Sequence, residues 1–136
     1  MEPPIEPTAN VARPKETTSA IQFLYVSLAI GLIRAVFALT QRTSGTALIL
    51  AALIVISVFA LGFFVIWKIS AGRKWARIIL LVLVLINFPF AVLANLAELK
   101  RSVLAGAFSI FIEVILWIGT YLLFTKNSNL WFRSRK

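Results

Sequence analysis

The chain has 136 residues, 60% of them apolar and only 14% charged; 14 Lys plus Arg face 5 Asp plus Glu for a net charge of +9, and there is no Cys and no His. An ordinary soluble domain is about half apolar and about one-quarter charged, so this composition excludes most soluble folds: there is too little polar side chain to cover the apolar remainder. The missing Cys and His exclude a disulfide framework, Cys-ligated zinc and any Ser-His-Asp or Cys-His nucleophile within one chain, so no enzyme activity, metal or cofactor is expected.

Residues 1–19 are polar and proline-rich (Pro3, Pro4, Pro7, Pro14). Such a segment buries too little apolar area to offset its ordering entropy and is expected to be disordered. It lacks the basic start and small-residue cleavage site of a signal peptide, so the first apolar run is expected to act as an uncleaved anchor.

Four apolar runs follow, at 20–40, 46–68, 75–99 and 103–125. At about 1.5 Å per residue, about 20 helical residues cross a hydrocarbon core about 30 Å thick. Each run is long enough, and in lipid a continuous run must satisfy its own backbone hydrogen bonds as helix. The β-branched stretch Ile54-Val55-Ile56 does not argue for a strand in so long a run. Short connections at 41–45, 69–74 and 100–102 place each helix beside the next. The expected fold is therefore all-α: four antiparallel transmembrane helices in an up-down bundle, followed by a basic and aromatic tail at 126–136.

Four spans put both termini on one side. That side holds ten basic residues: Arg13, Lys15, Lys68, Arg73, Lys74, Arg77, Lys126, Arg133, Arg135 and Lys136. The other holds three, Arg42, Lys100 and Arg101, with Arg34 inside a span. The basic-inside rule makes the richer side cytoplasmic, and Trp67, Trp75 and Trp131 fall at the same interface. The net charge thus reads as a topology signal that meets anionic headgroups, not as a nucleic-acid surface. The tail from Asn129 to Lys136 is expected either to lie at the interface as a short anchor or to be a plain stop-transfer flank.

Charges inside spans are the default place to look for function. Arg34 in the first span and Glu113 in the fourth qualify, with Asn87 and Asn95 in the third as uncharged companions. Helical rise puts Glu113 about 15 Å from the outer end of its span, near the midplane, and Arg34 about 9 Å from the outer end of its own. Asn87 also falls near mid-span. Ser27, Gly31, Ala35 and Ala38 make a small-residue stripe beside Arg34; Gly106, Glu113 and Thr120 recur every seven residues with Ser109 on the same face; and Asn87, Ala91, Ala94, Asn95 and Glu98 line one face of the third run. Such stripes let backbones approach closely, and Ser27, Gly31, Ala35, Gly106 and Ser109 are the expected packing positions. Pro89 is expected to kink the third helix by removing a hydrogen bond to the Leu85 carbonyl.

These positions define an expected polar centre of Arg34, Asn87 and Glu113. Either Arg34 and Glu113 form a structural ion pair, or Glu113 is a titratable carboxylate that carries a proton or receives a cationic substrate, or the two do not touch. The leading functional expectation is a non-enzymatic interaction or accessory subunit whose partner is a membrane protein or a second copy of the chain. The alternative is a small proton-coupled transporter or exporter centred on Glu113, although one acid with no inverted repeat is a sparse transporter signature.

The turn Ser70-Ala71-Gly72-Arg73-Lys74-Trp75-Ala76-Arg77 and the tail from Lys126 to Arg133 (Lys-Asn-Ser-Asn-Leu-Trp-Phe-Arg) resemble the small four-helix inner-membrane proteins of bacteria, over residues 20–133. In those, a G-(R/K)-x-W-A-R turn enters the third helix and a polar S/N-x-W-F tail follows the fourth. The resemblance implies a multi-pass protein of a bacterial inner (plasma) membrane and no particular activity. The small multidrug transporters also have four spans and one membrane Glu, but theirs lies in the first helix, where this chain has Arg34.

Overall fold

The structure is a computed structural model that describes residues 12–41 and 45–135. The chain folds as five helices: α1 Lys15–Thr40, α2 Thr46–Ser70, α3 Lys74–Arg101, α4 Val103–Leu122 and α5 Lys126–Ser134. The first four are long and apolar enough to cross a membrane. Each packs on two others, in the order α1–α2, α2–α3, α3–α4 and α4–α1, so the four close into a ring.

Two elements differ from the sequence expectation. First, helix begins at Lys15, inside the segment expected to be disordered. Pro14 stands extended just before it, and its carbonyl accepts from the Thr18 amide at 3.1 Å. Proline's fixed φ and missing N–H suit a helix start, and Glu16 complements the positive end of the helix dipole. The disorder expected for the first eleven residues lies outside the described residues. Second, the tail is folded onto the rest of the chain. It is helix α5, and Trp131 and Phe132 are 1% and 0% exposed, among the most deeply buried side chains of the protein.

These differences place the core at one end of the ring. Ala20, Ile21 and Leu24 of α1, Val65, Ile66 and Ile69 of α2, and Ala76, Leu80 and Val84 of α3 form one cluster with Leu123, Trp131 and Phe132. Thr17 and Ser128, both fully buried, hydrogen-bond at 2.9 Å and join α1 to α5. Arg77 lies over Phe132 at 4.8 Å and Phe124 at 5.3 Å, and donates to the Asn129 side chain and to the Leu123 carbonyl. Arg13 and Arg135 lie over Trp131 at 5.3 and 5.4 Å. Gly72, at φ +81°, turns the chain against Trp131 and Arg135, a conformation that L side chains rarely adopt. The turn from Ser70 to Arg77 and the tail from Lys126 to Arg133 therefore pack on each other.

At the opposite end the corner between α3 and α4 is a single residue. Extended Ser102 closes α3 through its amide to the Glu98 carbonyl at 2.8 Å, and opens α4 by accepting the Ala105 amide on its hydroxyl. Helix α4 then lies so close to α3 that a Cβ on Gly106 would come within 2.7 Å of the Leu99 Cα. Helix α3 is continuous through Pro89 from Lys74 to Arg101.

Candidate functional site

The tight corner positions the first polar group. With Gly106 against Leu99, Ser109 comes to the second turn of α4 opposite Glu98 in the last turn of α3. One Glu98 carboxylate oxygen accepts from Ser109 and the other from Arg34 of α1. The Ser109 hydroxyl also lies 2.9 Å from the Ala105 carbonyl, so its one proton is shared between two acceptors. Arg34 and Glu98 form an ion pair with side chains 36% and 34% exposed, while Ser109 is buried. Three helices thus meet at one carboxylate near one end of the bundle, not at its middle.

Arg34 is therefore partnered with Glu98, not with Glu113. Depth accounts for the choice: Glu98 is three residues from the end of its helix and Arg34 six, so the two differ by about 4–5 Å along the bundle. Facing accounts for the rest. In α4 the buried positions are Gly106, Ser109, Ile112, Gly119 and Thr120, and Glu113 stands on the flank turned to α3. There it lines a groove of about 430 Å³ with Phe88, Val92 and Asn95 of α3 and Trp117 of α4. Its Oε1 is buried and has no hydrogen-bond partner among the described residues. Phe88 and Trp117 meet edge to face, with ring centroids 5.6 Å apart. Asn87 is exposed and does not line this groove. The expected centre of Arg34, Asn87 and Glu113 is thus three separate places.

Gly31 faces the Phe59 ring of α2 at 3.5 Å. Ala35, with Ala38 and Leu39, lines a crevice of about 380 Å³ against Ala51, Ile54 and Val55 of α2. Ser27 is buried, its hydroxyl without a partner among the described residues. Gly106 and Ser109 both face α3. Sequence reasoning placed Glu98 on a lined face of α3 but missed its role; the signal was its depth, which matches Arg34 better than Glu113 does.

No protein family, curated protein or solved structure matches this chain.

Proposed function

We propose that this chain is a multi-pass membrane protein, four spans up and down with both termini cytoplasmic, and that it serves as a non-enzymatic interaction or accessory subunit. The observation that carries the reading is the unequal use of its two in-span acids. Glu98 is neutralised by Arg34 and bonded by Ser109, whereas Glu113 keeps an unpartnered oxygen in a groove lined only by α3 and α4. Intramembrane carboxylates are costly and usually pair with something. A carboxylate on the flank of a two-helix groove is placed to pair with a group outside the bundle. The basic base around α5 supports the orientation, since Lys68, Arg73, Lys74, Arg77, Arg133 and Arg135 gather at the end where cytoplasmic charge collects and anionic headgroups lie. The bacterial plasma membrane is the setting that the resemblance of the turn and tail favours.

The second reading is a small proton-coupled transporter or exporter, favoured by the same unpartnered Glu113 oxygen. A groove walled by two helices rather than four supports it less well.

Purification from native membranes in mild detergent tests the pair of readings. The subunit reading expects one membrane partner at fixed stoichiometry. A chain that purifies alone and moves protons or cations in liposomes overturns it in favour of the transporter. Because the chain contains no Cys, single cysteines at Ser102 and Ser134 report topology on an otherwise native background. Labelling of Ser134→Cys only from the cytoplasmic side, and of Ser102→Cys only from the other, is the expected result.

A further inference from the structure

We infer that the α3/α4 groove receives a helix of a second membrane protein carrying a Lys or Arg at the depth of Glu113. This rests on the subunit reading above and names the partner's chemistry. The groove extends over Phe88 to Leu99 on α3, about 16 Å or three helical turns, the footprint of a helix flank. Its walls are largely apolar side chains, with Asn95, Glu113 and the indole N–H of Trp117 the polar groups that line it. Glu113 Oε1 is withdrawn from solvent yet has no donor among the described residues. Acyl chains fill such a groove but give a carboxylate no hydrogen bond. A cation meets the carboxylate directly, and the Phe88 and Trp117 rings, 5.6 Å apart, offer it aromatic faces as well.

Charge also selects against a second copy as the occupant. Arg34, the basic residue well inside the spans, is bound to its own Glu98. A symmetric partner would bring another Glu113 to this depth, and like charges repel. The complementary group must come from a different chain.

The test uses the full chain in phosphatidylcholine vesicles. The probe is a dansyl-labelled synthetic Leu/Ala helix of about 20 residues with one central Lys, compared with the same helix carrying Leu there. Energy transfer from the protein's tryptophans reports binding. Interhelical polar contacts in bilayers are worth about tenfold in affinity, so the Lys helix is expected to bind about tenfold tighter than the Leu helix. Glu113→Gln, nearly isosteric, removes the charge and brings that ratio close to one. Leu96→Phe, which crowds the groove wall and adds no tryptophan donor, weakens both helices, with circular dichroism confirming the fold.

Equal binding of the two helices to wild type, or a preference that survives Glu113→Gln, overturns the inference and leaves the subunit reading standing. Binding indifferent to Leu96→Phe overturns the groove as its location. Self-association of wild type that Glu113→Gln abolishes overturns the choice of occupant. The subunit reading itself falls only with the native purification, if the chain proves to stand alone.

Discussion

Replacing Glu98 by Gln removes the negative charge that neutralises Arg34 and leaves one oxygen where two now accept from Arg34 and Ser109. The magnitude follows from where the pair sits. Both side chains are about one-third exposed, and exposed ion pairs are worth about 0.2–1 kcal/mol. Polar contacts between membrane helices average about 0.6 and reach about 1.7 kcal/mol in double-mutant cycles. We therefore expect a coupling of about 1 kcal/mol between Arg34→Gln and Glu98→Gln. Glu98→Gln alone should cost about 1–2 kcal/mol, because it strands a guanidinium that is never deprotonated, although the long Arg side chain relieves part of this by reaching water. The double mutant should cost less than the sum. The parallel cycle of Arg34→Gln with Glu113→Gln should be additive within about 0.5 kcal/mol, as for groups that share no partner. Unfolding in mixed micelles with increasing SDS, followed by circular dichroism, gives the four free energies of each cycle. A larger coupling to Glu113 than to Glu98 would refute the assignment of the pair.

Three further outcomes follow from the packing. Gly106→Ala should destabilise by about 1–3 kcal/mol, the cost of overpacking, because its methyl meets the Leu99 backbone at 2.7 Å; Gly31→Ala should be neutral or stabilising by up to about 1 kcal/mol, since it meets only the Phe59 ring at 3.5 Å. In the same SDS titration Trp131→Ala should cost about 3–5 kcal/mol, whereas Trp67→Ala, at a position 53% exposed, should stay within about 0.5 kcal/mol. Ser128→Ala should cost more than Thr17→Val, because Ser128 bonds Thr17, Thr125 and the Leu122 carbonyl while Thr17 gives up one bond of about 1 kcal/mol.

The four long helices were legible because each apolar run is long and apolar enough to cross a membrane. Their boundaries were less so. Lys15 to Ser19 reads as polar leader by composition, yet the Thr17–Ser128 contact holds it as helix. The tail shows the same limit. Trp131, Phe132 and their basic neighbours have the composition of an interfacial anchor, and nothing local says that Gly72 and Arg77 form a floor for them. The ion pair was half legible: Arg34 and the face bearing Glu98 were both visible, but which acid met the arginine depended on helix rotation. Glu113 differs from the buried Ile112 by one position, about 100° around α4. A stripe reading sorts residues into faces too coarsely to settle such a choice.

The two ends of the bundle are held by different physics, and this separates their failures. At the α5 end, large side chains are withdrawn from solvent and cationic groups stack on Trp131, Phe124 and Phe132. That is bulk burial, reinforced by contacts worth about 0.5–2 kcal/mol each. At the other end the buried positions of α4 reduce to Gly106, Ser109 and Ile112, and one ion pair ties α1 to α3. Local stability follows the density of buried contacts, so the second end should open first and alone. Amide exchange in micelles should therefore rise on Glu98→Gln in the last turns of α1 and α3, around 35–40 and 95–101, while α5 amides keep their protection. Trp131→Ala should instead release α5 and the start of α1 together, because Thr17 loses its floor when Ser128 moves. Uniform loss of protection in both variants would show one cooperative unit, and the ion pair would then be a support for the whole bundle rather than a local clasp.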